Sequence, residues 1–373
     1  MKRILSILGN LLLWALVIGF ALFFNGRAKQ HRAQTTISAM EVVLTDSLQD
    51  EVLVKSSIVE EWIRNSGIEF QGVPVENVDL NGIEQAISRN GFIQRVNTRT
   101  TFDGRLMVEV SQRRPLLRMM VDGYNCYLTE EGFIFPSPRL SAVYAPIVTG
   151  SYTPPVPAQY VGKTEDYISS LIAESEQRIA DMQHEKVPLF EKDKEIRDSI
   201  KEVRKIRIKK RFWKELRLRF NPSYQSEYDQ DVRDTRAYKA ALRRKYRYWL
   251  RKNDNNIDQI SQRQDNERQS QKKLLKRYED LVKLINFVKY IEDNAFWRAE
   301  IVEIVASEMS NGELQLELIP RSGNHRILFG TADNVEDKLN KLLAFYENGL
   351  TNIGWDEFRT ISLKYDGQVV CRK

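Results

Sequence analysis

The chain has 373 residues, 42% of them hydrophobic and 29% charged, which allows two or three cored domains and excludes a disordered or fibrous composition. Its formal net charge of +6 favours acidic contacts such as anionic lipid, nucleic acid or acidic protein surfaces. His31, His184 and His325 lie far apart, and Cys126 and Cys371 have neither CxxC spacing nor a neighbouring histidine. The common zinc, redox and histidine-base chemistries therefore lack a ligand set. A single disulfide between the two cysteines stays open.

Residues Ile4 to Phe24 carry no charge over 21 positions. At about 1.5 Å per residue such a helix spans roughly 30 Å, the thickness of a bilayer's hydrocarbon core, so the run predicts a transmembrane anchor. A cleaved signal peptide is the competing reading, with Gly26-Arg27-Ala28 as its small-x-small site, but the run exceeds the usual apolar region of such a leader. Lys2 and Arg3 on one side and Arg27, Lys29 and Arg32 on the other leave orientation undecided by charge.

Ile37 to Leu44 alternate as a strand, Ser57 to Glu60 form a capping box that opens a helix, and Ile58, Val59, Trp62 and Ile63 share its apolar face. Gly67 can stop that helix. Asp79 or Asn81 caps a second one carrying Leu80, Ile83 and Ile87, which Gly91 closes. Two runs then flank Asp103-Gly104, a hairpin dipeptide, with Leu106, Val108 and Val110 alternating against polar neighbours. The order strand, helix, helix, strand, strand, ending at Arg114-Pro115, resembles the POTRA module.

Beyond Pro115, Leu116 to Val121, Cys126 to Leu128 and Phe133 to Phe135 read as a β-meander. The same texture returns at Ile301 to Val305, Leu314 to Ile319 and Ile327 to Phe329, predicting one β domain built from both stretches. A helix from about Val335 to Leu350, with Leu339, Leu342, Leu343 and Tyr346 on one face, leads to two closing strands, Thr360 to Tyr365 and Gln368 to Cys371, joined at Asp366-Gly367.

From about Thr164 to Asn294 the chain is highly charged and helical in pattern. Ile196, Ile200, Val203, Ile206, Trp213 and Leu216 recur at three to four residues, and Leu274, Tyr278, Leu281, Ile285 and Val288 follow the spacing of a coiled-coil seam. Asn221-Pro222-Ser223 provides a turn, so an antiparallel helical hairpin is expected, with Pro188 interrupting its first arm and a thin seam between Asn253 and Lys272. Ten Lys/Arg against two Glu in 201–219, and nine against one Asp in 233–252, read either as a solvated helix face or as a contact for an acidic partner or anionic surface.

Four stretches together look like FtsQ/DivIB, the cell-division family, in its Bacteroidetes-type form. They are the N-terminal apolar run with the POTRA-like unit, Tyr127 to Pro136, Leu318 to Gly330, and Gly354 to Cys371. The most specific is Ile361-Ser362-Leu363-Lys364-Tyr365-Asp366-Gly367-Gln368-Val369-Val370-Cys371, which is similar to the family's closing hairpin. The resemblance implies a cytoplasmic N-terminus, a single-pass inner-membrane anchor and a periplasmic body at the division septum. It further implies a non-catalytic scaffold without cofactors that binds FtsB- and FtsL-type partners and helps control septal peptidoglycan synthesis. The binding edge then falls on Thr360, Ile361, Ser362, Leu363, Lys364, Tyr365, Gln368, Val369 and Val370, where a partner adds a strand by backbone hydrogen bonds. The competing reading of these residues is ordinary sheet packing. The helical insertion departs from the family.

The expected fold is α+β: residues 1–35 a cytoplasmic tail, transmembrane helix and juxtamembrane segment, 36–115 a POTRA domain (βααββ), 116–163 with 294–373 an antiparallel or mixed β domain with a C-terminal helix and edge hairpin, and 164–293 a coiled-coil-like hairpin. No GxGxxG, P-loop, HExxH or GxSxG occurs, so an enzyme is not expected. The alternative function is a POTRA-type binding module or chaperone for secreted or outer-membrane chains. Neither nucleic acid nor a small-molecule substrate is expected.

Overall fold

The computed structural model describes residues 13–23, 25–27, 35–45, 53–137, 143–207, 222–365 and 367–373. It forms two compact units, one of Met1–Asp166 with Tyr278–Lys373 and one of Tyr167–Arg277. The architecture is α+β, with a POTRA-like sheet, a larger mixed sheet and long helices.

The expected membrane anchor is corrected. Among the described residues no helix is long and apolar enough to cross a membrane. The described part of the apolar run, residues 13–23, is helical. Residues 4–12 and 24 of the expected span lie outside the described residues. The single-pass, inner-membrane localisation with a periplasmic body, which rested on that anchor, falls with it.

The first sheet contains β1 (Ala39–Leu44), β2 (Ile93–Thr100) and β3 (Arg105–Gln112), in the order β1-β3-β2. β1 runs parallel to β3, from Ala39↔Arg105 to Leu44↔Val110, and β2 is antiparallel to it. Strict alternation sends Leu106, Val108 and Val110 wholly inside. Above them lie α1 (Ser56–Asn65), burying Val59 and Ile63, and α2 (Leu80–Ser88), burying Ile83 and Ile87. Asp79 is the N-cap of α2, accepting from the Gly82 amide at 2.9 Å. The expected capping box on α1 is absent: the helix starts at Ser56, before Ser57, and its N-cap Lys55 makes no side-chain bond. Gly104, at φ 81° in the β2–β3 turn, takes a conformation that L side chains resist.

The second sheet has ten strands: β4 (Leu117–Val121), β5 (Cys126–Leu128), β6 (Phe133–Pro136), β7 (Ile147–Gly150), β8 (Gly162–Lys163), β9 (Ile301–Glu308), β10 (Leu314–Pro320), β11 (Arg326–Gly330), β12 (Thr360–Ser362) and β13 (Val370–Arg372). Their order is β13-β12-β11-β10-β9-β7-β4-β5-β6-β8. β7 is the seam between the two stretches of chain, parallel to β4 on one side and to β9 on the other. Gly150 ends it at φ 111°, and a Cβ there would overlap the Ala306 carbonyl oxygen, so only glycine lets β7 and β9 approach.

The first sheet shares one core with β5 and β6, with Tyr127 and Phe135 packed among the POTRA-like residues. Phe92 meets Phe135 edge-on at 5.8 Å, and the Arg113 guanidinium lies 3.4 Å over the Phe133 ring while its Nε donates to the Gly91 carbonyl. Gly91 serves this contact rather than closing α2: a Cβ there would press on Val161 and Phe135.

The long helices are α3 (Thr164–Lys205) and α4 (Pro222–Asp293), followed by α5 (Ala295–Glu300) and α6 (Val335–Phe345). Pro222 opens α4 in the first-turn place where a missing N–H costs nothing. α3 runs unbroken through Pro188. Within the second unit the two helices are antiparallel, tied by Arg178–Glu267, Arg263–Glu185, Lys186 to Gln264, Asn253 to the Leu189 carbonyl and Lys239 to the Ile206 carbonyl.

This seam is more polar than the expected coiled-coil seam. Lys186, Asn253, Gln264 and Ser175 are buried in it beside Ile196, Val203 and Ile260, where a heptad seam requires a continuous apolar row. The residues expected to form the seam's C-terminal part, Leu281, Ile285 and Val288, lie instead in the first unit with Leu284, Phe287 and Ile291, all buried. Phe287 packs on Phe329 of β11 at 4.8 Å, so this end of α4 is core of the large sheet. Trp213 and Leu216 lie outside the described residues.

Candidate functional site

The C-terminal end of the sheet is positioned by an aromatic cluster. β11 is parallel to β12, so the chain must cross over between them, and it does so through α6, a five-residue π-helical turn at Tyr346–Leu350 and α7 (Thr351–Ile353). Leu339, Leu342, Tyr346 and Leu350 are buried along this path. His325, 2% exposed, shares a hydrogen bond of 3.0 Å with the Tyr346 hydroxyl. Trp355 packs edge-on against Tyr346 at 5.0 Å. Burial lowers the His325 pKa, opposed by the Trp355 backbone and Asp356, and burial raises that of Tyr346. Both groups are therefore neutral packing elements near pH 7.

β12 lies between two neighbours. Thr360, Ile361 and Ser362 pair with Arg326, Ile327 and Leu328 of β11 on one side and with Arg372, Cys371 and Val370 of β13 on the other. Ile361, Ser362 and Leu363 are buried, and the Leu363 amide donates to the Leu328 carbonyl at 2.9 Å. The ladder is shorter than the sequence suggests: it ends at Ser362↔Val370, so Lys364, Tyr365 and Gln368 lie in the connecting loop. Tyr365 is 52% exposed, Lys364 and Gln368 are exposed, and Val369 and Val370 are half-buried. Asp366 lies outside the described residues.

Among the described residues β13 is the last strand of the sheet and pairs only with β12. Its outer side presents backbone donors and acceptors to whatever approaches. The nine residues singled out from the sequence thus divide. Ile361, Ser362 and Leu363 are sheet core, Thr360 is half-buried within the ladder, and Lys364, Tyr365 and Gln368 with Val369 and Val370 border the open edge.

A second open edge belongs to β1, which among the described residues pairs only with β3. Its start is covered, because Ile37 bonds Val73 and Gly72 bonds Ile37. Beside it lies a groove of about 780 Å³ lined by residues including Met40, Glu60, Arg64 and Phe70.

Cys126 on β5 and Cys371 on β13 are free thiols seven strand positions apart in the sheet. Burial pushes the Cys126 thiol up to about 12 and raises that of Cys371, the opposite of a reactive cysteine. Among the described residues no group of three or more His, Cys, Asp or Glu is placed to hold a metal ion.

Sequence reasoning missed β7, β8, the π-helical turn and the His325 cluster. β7 offers four residues without alternation longer than one period, and the cluster joins residues that only the crossover brings together.

The chain thus combines a POTRA-like unit with a mixed sheet that shares its core and ends, among the described residues, on an open strand. Residues 35–111 match the family model described as POTRA-like domain, and residues 254–372 match that described as FtsQ/DivIB, C-terminal related. The two matches support an FtsQ/DivIB-type protein with a POTRA domain. No curated protein matches it. The second match begins within α4, so the C-terminal part of that helix belongs to the family-related region.

Proposed function

We propose that this cell-division POTRA protein is a non-catalytic scaffold that binds FtsB- and FtsL-type partners by strand addition at its C-terminal edge and thereby helps control septal peptidoglycan synthesis. The observation that supports this most is the outer side of β13, unpaired among the described residues and next to the exposed Tyr365. An extended partner segment would extend the ten-stranded sheet through backbone hydrogen bonds, with Tyr365 and Lys364 contacting its side chains. β12 is already paired on both sides and takes no direct part.

The test is binding of the full chain to purified FtsB- and FtsL-type partners, read by affinity and by hydrogen exchange. Tyr365→Lys is expected to weaken binding by roughly tenfold or more, the scale of a truncated aromatic anchor, without lowering thermal stability. Amides of residues 370–372 should gain protection in the complex. Unchanged affinity together with unchanged exchange at β13 would sink this reading. Protection appearing at β1 instead would favour the second one, a POTRA module that receives extended secreted or outer-membrane chains along the β1 groove.

A further inference from the structure

Residues 235–253 of α4 contain eight Lys/Arg and no carboxylate. In α3 and in 254–272 the charges are mixed. α3 matches Arg197 with Asp193, Lys201 with Asp198 and Lys205 with Glu202, and 254–272 interleaves both signs. A helix face that only needs solvation has no reason to exclude acids over five turns.

The half-buried side of this stretch carries Leu242, Tyr246 and Leu250, and from it Lys239 donates to the Ile206 carbonyl on the neighbouring segment. That side is occupied. Opposite that row lie Ala237, Ala241 and the 62% exposed Tyr248, and on one flank lie Tyr238, 59% exposed, and Trp249, 44% exposed. Lys245 lies 5.1 Å over the Trp249 ring. Arg243, Arg244 and Arg247 are exposed and have no carboxylate partner among the described residues. The surface is therefore a shallow strip of alanine and aromatic side chains bordered by cations, about 28 Å long at 1.5 Å per residue.

We propose that residues 235–253 dock on the headgroups of an anionic lipid bilayer. The chemistry matches on both counts. Guanidinium groups pair bidentately with phosphate oxygens, and Trp and Tyr rings settle at headgroup depth with their polar atoms toward water. The helix lies on the surface and does not cross it, because its one continuous apolar row is turned inward. A nucleic-acid strand fits less well: such chains are tracked by a charged groove lined with stacking platforms, and one convex helix supplies no groove.

The experiment is sedimentation of the full chain with two kinds of vesicle, phosphatidylcholine alone and phosphatidylcholine mixed with phosphatidylglycerol. Comparing the two cancels any headgroup-independent partition of the apolar run at residues 4–24. The wild type is expected to prefer the mixed vesicles by about tenfold or more at low salt, with the preference shrinking as salt rises. Glutamate at Arg243, Arg244 and Arg247 together should erase the preference, and lysine at the same three positions should keep it. Tyr248→Ala with Trp249→Ala should weaken it, with helix content by circular dichroism serving as the folding control for each variant. Equal sedimentation with both vesicles, or a preference that survives the triple glutamate change, would overturn the proposal. So would tight binding of a polyuridylate competitor that abolishes with the triple change while vesicles show no preference. Division-partner binding at β13 is read separately and is expected to be unaffected, so failure of one reading leaves the other standing.

Discussion

His325 and Gly150 show how single residues hold the sheet that carries the edge. His325 is enclosed with its Nε2 on the Tyr346 hydroxyl, and burial lowers its pKa in the folded state below the ordinary value of 6.5. Between those two pKa values the unfolded chain binds the proton that the folded chain refuses, so stability is full above about 6.5 and falls as pH drops below it. Thermal unfolding followed across this range should show the decline in wild type and a flatter profile in His325→Gln, which keeps a polar contact to Tyr346 but cannot titrate. Gly150 is a steric matter. At φ 111° with a backbone oxygen where its Cβ would be, Gly150→Ala is expected to cost about 3 kcal/mol or more in chemical denaturation. A loss within about 0.5 kcal/mol would mean that β7 and β9 need no such approach.

Among the elements, the α3–α4 seam buries Lys186, Asn253 and Gln264 beside its apolar residues. Lys186 is buried against Gln264 at 2.5 Å, and Gln264 also donates to the Ile179 carbonyl. Gln264→Leu strands the ammonium group, at an expected cost of about 3 kcal/mol to the melting of the hairpin. Adding Lys186→Met should recover most of that loss, since an apolar pair needs no hydrogen bonds; a double variant no better than the single one would show that the pair is not the source of the penalty. The reason this seam was misjudged from the sequence lies in α4. Its apolar spacing near the C-terminus is real, but Leu281, Ile285 and Val288 are spent on the large sheet, and periodicity does not say which partner an apolar stripe will meet.

On the scale of the molecule, the POTRA-like domain and the large sheet are not beads joined by a linker. Phe135 and Tyr127 of the second sheet sit in the core of the first, so Phe135→Ala should cost about 3–5 kcal/mol and speed amide exchange in β2 and β3 as well as in β5 and β6. Exchange confined to β5 and β6 would mean that the shared core is not energetically shared.

Alternation and turn dipeptides were enough to place β3, β10 and β11 and the helices α1 and α2, because a strand with one buried face, or a helix with one, writes its period into consecutive residues. The family resemblance rested on such local stretches and is upheld by the matches over 35–111 and 254–372. Strand order, the role of β7, the fate of the C-terminal end of α4 and the division of the closing residues into core and edge were decided only by tertiary structure. Each depends on contacts between residues far apart in the chain, such as Val148 with Ile304 or Phe287 with Phe329, and no local period records those. The edge itself is a case in point: that Thr360–Ser362 is a strand was legible in its own residues, but whether it has one neighbour or two depends on where β11 and β13 come to rest.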